Sequence, residues 1–120
     1  MKMNVQNEKY ERQMKKGVLD MLVLKLLESD EKYGYQLISE LNEKSDGVFI
    51  LKEGTLYPIL YRLEDEAFIE SNWSLPEGKQ VSRKYYSITA KGKAALEQIA
   101  TTWNSIQSGI DKIMETPVTK

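Results

Sequence analysis

At 120 residues, 41% apolar and 29% charged, the chain suits a single soluble globular domain. It has neither cysteine nor histidine, which excludes disulfides, thiolate chemistry, ordinary zinc sites and the commonest general acid–base residue. Its 17 basic and 18 acidic residues give a net charge of −1, so a nucleic-acid partner would have to be met by a local patch and not by overall charge.

The acids form no recognisable catalytic or metal-binding constellation, so neither an enzyme nor a cofactor is expected. No apolar run approaches the roughly 20 residues of a membrane span. The polar segment Met1–Glu11 lacks the apolar core of a secretory signal. A cytoplasmic protein without a membrane partner is the expectation.

Residues 1–9 show no periodicity and read as a flexible arm. A helix follows, in which the run Val18–Leu27 is apolar around nearly its whole circumference. Such a helix must be covered on all sides. Either it is the central helix of a monomeric core, or a second copy covers part of it through Val18, Met21 and Leu22. After the polar break Ser29–Lys32, Tyr33-Gly34-Tyr35 opens a second helix with Leu37, Ile38 and Leu41 on one face. Asp46-Gly47 ends it, and Val48–Leu51 reads as a short strand or an extended link.

The third helix is predicted from about Glu53 to Glu66, with Leu56, Ile59, Leu60 and Leu63 facing the core. Thr55, Pro58, Tyr61 and Arg62 then point outward and Tyr57 lies towards the flank. Pro58 belongs near the first turn, or else kinks the helix. Two strand-like runs, 68–75 and 81–88, are joined by the Gly-containing loop 76–80 and form a β-hairpin. In the first run Ile69, Trp73 and Leu75 share a side. Thr89 offers an N-cap hydroxyl to a long last helix. There Leu96, Ile99, Trp103, Ile106, Ile110 and Ile113 fall at alternating spacings of three and four, the pattern of a helix–helix seam.

The order helix, helix, short strand, helix, hairpin predicts a mainly α (α+β) fold: a winged helix-turn-helix over residues 10–90, with a C-terminal dimerisation helix and tail over 91–120. In that architecture the helix before the hairpin enters the DNA major groove. Its candidate contacts are Thr55, Tyr57, Tyr61 and Arg62, with Lys52 at its entrance and Tyr35 and Gln36 from the preceding helix. Between Gly78 and Leu96 the chain carries Lys79, Arg83, Lys84, Lys91 and Lys93 and no acid. Lys79, Arg83 and Lys84 therefore make the hairpin the anion-facing wing. The expected partners are a double-stranded DNA operator and a second copy of the chain. A winged-helix protein-interaction module without DNA binding is the alternative, and it would show an exposed apolar patch.

Three separated motifs carry a family resemblance: Tyr33-Gly34-Tyr35-Gln36-Leu37, then Glu53–Leu60 with Arg62-Leu63-Glu64, then Arg83–Thr89 with Gly92. Together they resemble the PadR family of bacterial transcriptional regulators, from about Gly17 to the end of the last helix. The resemblance implies a dimeric repressor with a winged-helix head and a C-terminal dimerisation helix. The short C-terminal part with its central tryptophan looks like the compact, multidrug-responsive subgroup. In that subgroup paired tryptophans at the place of Trp103 line a pocket for planar aromatic compounds, which Met14 and Gln107 could flank. Packing alone would equally account for Trp103. Two departures from the family pattern are Ala67, where glycine is common after the recognition helix, and Leu51-Lys52, where serine is frequent. An alanine forced into a left-handed conformation costs roughly 1 kcal/mol relative to glycine.

Overall fold

A computed structural model describes residues 5–74 and 81–118. Among the described residues, five helices and three short strands follow in the order α1 (Val5–Lys16), α2 (Leu19–Ser29), β1 (Lys32–Tyr33), α3 (Gly34–Lys44), α4 (Glu53–Asp65), β2 (Ile69–Trp73), β3 (Lys84–Ile88) and α5 (Ala90–Met114). The fold is a winged helix-turn-helix with a long C-terminal helix, as the element order predicts.

The segment leading into the apolar run forms a separate helix, because Gly17 and Val18 break the chain between α1 and α2, and the run itself makes α2. Helix α1 starts at Val5, so residues 5–9, expected as part of a flexible arm, are helical. A chain rich in Gln, Glu, Lys and Arg needs no apolar periodicity to favour a helix. In α2, Leu19, Val23, Leu24 and Leu27 form one buried face. Leu37 and Leu41 of α3, together with Leu56, Ile59, Leu60 and Leu63 of α4, close the core over it.

Helix α3 is opened by the Gln36 side chain, whose Oε1 accepts the Tyr33 N–H at 3.1 Å. Asp46 (φ 53°) and Gly47 (φ 81°) stop it in left-handed conformations, and the Gly47 N–H returns to the Asn42 carbonyl at 2.8 Å. Residues 48–51 are an extended link without strand pairing. The Ser45 hydroxyl accepts the Phe49 N–H at 2.9 Å and so takes the place of a sheet partner. The third strand of the sheet is instead Lys32–Tyr33, inside the segment read as a polar break. It pairs with β3 in the registers Lys32↔Tyr86 and Tyr33↔Tyr85. Periodicity could not show a two-residue strand.

Pro58 lies in the second turn of α4, one turn deeper than expected. Its missing N–H would have met the carbonyl of Gly54. Helix α4 ends with Ala67 at φ 63°. The Phe68 N–H reaches the Leu63 carbonyl at 3.0 Å, and the Ala67 N–H the Glu64 carbonyl at 2.9 Å, a Schellman stop built on alanine. Lys91 adds a bond from Nζ to the Glu66 carbonyl at 2.9 Å.

The sheet order is β1-β3-β2, antiparallel throughout. In β2 Ile69 is buried, whereas Trp73, on the same side by alternation, is 67% exposed. The strand outruns the core there. Thr89 caps α5 as predicted, its hydroxyl accepting the Gly92 N–H at 3.0 Å. Gly92 allows that turn to press against the Phe68 carbonyl, where a Cβ would collide.

Helix α5 has 25 residues, about 37 Å of helix, and only its first turns rest on the head. Leu96, expected in the helix–helix seam, is buried in the head's own core, and Ile99 is packed against it. Leu22, expected beside Val18 and Met21 in that seam, lies on another flank of α2. There it lines a shallow groove with Leu26, Leu41 and Phe49.

Candidate nucleic-acid interface

Helix α4 and the β2–β3 hairpin share one side of the head. Lys52, the N-cap of α4, is exposed and has extended backbone angles, with no side-chain cap. Thr55 and Tyr61 are exposed along the same helix. Tyr35, at the start of α3, is also exposed. Gln36 is half-buried, with its oxygen engaged in opening α3.

Two predicted contacts sit differently from expectation. Arg62 does not project freely, because its guanidinium is ion-paired with Asp20 of α2. That hydrogen bond raises the Arg62 pKa above its ordinary value. Tyr57 is half-buried with its hydroxyl seated against Gly34, where any Cβ would collide with it. It therefore joins α4 to α3.

On the hairpin, the Arg83 guanidinium stacks over the Tyr33 ring at 4.5 Å, and Tyr33 meets Tyr85 edge-on at 5.5 Å. Lys84 Nζ lies 5.9 Å from the Tyr61 ring centre and 5.5 Å from that of Tyr86. Stacking of this kind holds a cation in place without neutralising it. Lys79 falls outside the described residues.

The structure adds Tyr33, Trp73 and Tyr86 to this side, none of which is among the contacts expected from the sequence. Trp73 pairs across the hairpin with Lys84, and that register is the signal that would have found it. Tyr33, Tyr57, Tyr61, Trp73, Arg83 and Tyr86 line one cleft between α4 and the hairpin.

A second feature lies away from this face. Val18, Met21, Ile99, Trp103 and Ile106 line a groove of about 330 Å³ between α2 and α5. Beyond it Ile110 and Ile113 continue an exposed apolar stripe along α5. Met14 is exposed on α1, and Gln107 donates to Asp111 at 3.2 Å. Neither is among the residues that line the groove.

A three-helix core with a two-stranded wing beside an exposed helix defines a winged helix-turn-helix module. The Transcriptional regulator PadR-like family matches residues 23–98, more than half of the chain. The chain belongs to that family and is a transcriptional regulator, not an enzyme. Its sequence is 36% identical over 101 residues to a Lysinibacillus sphaericus protein called "Uncharacterized protein X", covering 83% of this chain and 91% of that one. It is 33% identical over 79 residues to the Negative transcriptional regulator PadR of Bacillus subtilis, covering 66% of this chain and 43% of that protein. Among solved structures, a PadR family transcriptional regulator from Eggerthella lenta superposes with a TM-score of 0.80 at 31% identity, over 92% of this chain and 93% of that one. A PadR-like transcriptional regulator from Bacillus cereus gives 0.75 at 33% identity, over 88% and 99%. Among the described residues, no helix is long and apolar enough to cross a membrane.

Proposed function

We propose that the chain is a homodimeric, sequence-specific DNA-binding repressor, released from its operator by a small-molecule effector. The observation that carries the DNA reading is the common side shared by the exposed face of α4 and the stacked cations of the hairpin. Lys52, Thr55 and Tyr61 would enter the major groove, and Arg83 and Lys84 would follow the backbone. Tyr35 and Gln36 would meet the flanking phosphates.

The dimer reading is supported by the apolar stripe of α5. Trp103, Ile106, Ile110 and Ile113 are 39, 57, 48 and 74% exposed, in an apolar row that a lone chain leaves in water. A second copy would cover them, together with Val18 and Met21. The groove beside Trp103 has the size and apolar character of a small-molecule site. A planar aromatic compound bound there would release DNA if it prefers a spacing of the two heads that the operator does not accept. The repressor sense follows the name of the Bacillus subtilis relative. A gel shift against the DNA upstream of the chain's own coding region tests the whole reading. A shifted band that planar aromatic compounds abolish is expected, and its absence at low salt would count against it.

One observation favours the alternative of a protein-interaction module: Val48 and Ile50 are exposed next to the groove of Leu22, Leu26 and Phe49. Retention on heparin at low salt, which such a module would not need, separates the two.

A further inference from the structure

The cleft between α4 and the hairpin contains a group with no assigned task. Tyr86 is 1% exposed, and its Oη has no hydrogen-bond partner among the described residues. A buried hydroxyl left unpaired is costly and calls for an explanation. Burial, reinforced by Tyr57, Glu64 and Tyr61, pushes its pKa up to about 12, so it holds its proton at neutral pH.

The surroundings favour an anion. Arg83 and Lys84 bring positive charge into the wall of the cleft, and Gly34, the first residue of α3, brings the positive end of that helix. The neighbouring acid, Glu64, has one oxygen engaged by the Ser71 hydroxyl at 2.5 Å, while the other is 3.9 Å from Lys84 Nζ. Lys84 lies over the Tyr86 ring and gives up little on leaving Glu64. An anion that draws Lys84 outward would uncover the phenol.

We propose that this cleft seats one phosphate group of the DNA backbone, with Arg83 and Lys84 supplying charge and Tyr86 Oη donating a hydrogen bond. The inference rests on the DNA-binding reading. A free phosphate ester has the same chemistry, but the position of the cleft between the two DNA-facing elements favours the backbone.

The Tyr86→Phe substitution tests this, because it removes the hydroxyl and leaves the ring. Duplex affinity and thermal midpoint are measured with Trp103 in place; for the emission measurement alone both proteins also carry Trp103→Phe, so that Trp73 is the sole tryptophan. Three quantities are compared: thermal midpoint, affinity for a labelled duplex at low salt, and the response of Trp73 emission to inorganic phosphate. The expected result is a thermal midpoint unchanged or raised, with duplex affinity reduced about tenfold, as suits a bond to a charged group. If phosphate alters Trp73 emission only when the hydroxyl is present, while duplex affinity is equal, the seat stands but serves a free phosphate ester. If neither duplex affinity nor phosphate response depends on the hydroxyl, the proposal is overturned. Failure of both proteins to bind duplex would overturn the DNA-binding reading and the backbone assignment with it, and the phosphate response would then decide the seat alone.

Discussion

Asp20 of α2 and Arg62 of α4 form an ion pair that ties α4 to the helix bordering the Trp103 groove. Met21, the next residue after Asp20, lines that groove. Any shift of α2 would reach α4 through this pair as well as through the core the two helices share. The pair also holds the guanidinium back from any other anion.

Asp20→Asn should release it. The pair is partly exposed, with 49 and 32% of its side chains accessible, so the loss of stability should stay within about 1 kcal/mol. The salt dependence of duplex binding should steepen by about 0.9 if the freed arginine gains a phosphate. Urea titration and fluorescence anisotropy at several salt concentrations check both. An unchanged slope would mean that Arg62 stays away from DNA even when free.

Ala67 occupies a left-handed position at φ 63°. Ala67→Gly should therefore stabilise the head by about 1 kcal/mol, since the Schellman stop is retained and the strain is removed. A lower midpoint in urea would show that the alanine methyl has a packing role that outweighs its backbone cost.

Lys32 is buried between Asp30 at 2.6 Å and Glu40 at 3.1 Å. Hydrogen bonds from Lys32 and Ser29 hold the Asp30 pKa below its ordinary value. Burial pushes Glu40 up, but hydrogen bonds from Lys44 and Lys32 outweigh it, and the net shift is downward. Because both folded-state values are depressed, the stabilisation is present above the ordinary carboxylate range. It is lost as pH falls through the folded values. The thermal midpoint should fall on acidification below about pH 4, and Lys32→Met should flatten that fall. An equally steep fall in the variant would place the acid sensitivity elsewhere.

Ile110→Glu puts a charge in the middle of the exposed stripe of α5. Sedimentation velocity should show a dimer for the parent chain and a monomer for the variant, with the head still folded. A variant that remains dimeric would move the interface away from α5.

Much of the head could be read from the sequence because its apolar positions repeat with helical period and its turns carry Gly, Thr or Asp at telling places. Thr89, Gly47 and the Leu56–Leu63 face are examples. The two-residue strand Lys32–Tyr33 was not legible, since it is defined by its partner Tyr86 and not by its own pattern. Leu96 has the same heptad spacing as Trp103, yet one is buried in the head and the other stands beyond it. Spacing gives a face, not the point where the supporting surface ends. The candidate site was legible where it depends on charge, since Lys52, Arg83 and Lys84 lie on one side of the head. It was not where it depends on which tyrosine is buried or which arginine is already paired, as with Tyr86 and Arg62.

On the proposed reading, α4 and the hairpin grip DNA through a few local cations in a chain of nearly neutral charge. Duplex affinity measured against salt concentration, for the parent chain and for the double substitution Arg83→Ala and Lys84→Ala, tests it most directly. The double substitution should weaken binding to every duplex and make the log–log slope shallower by about 1.8, two phosphate contacts at about 0.9 each. Equal affinity and equal slope in the two proteins would contradict it.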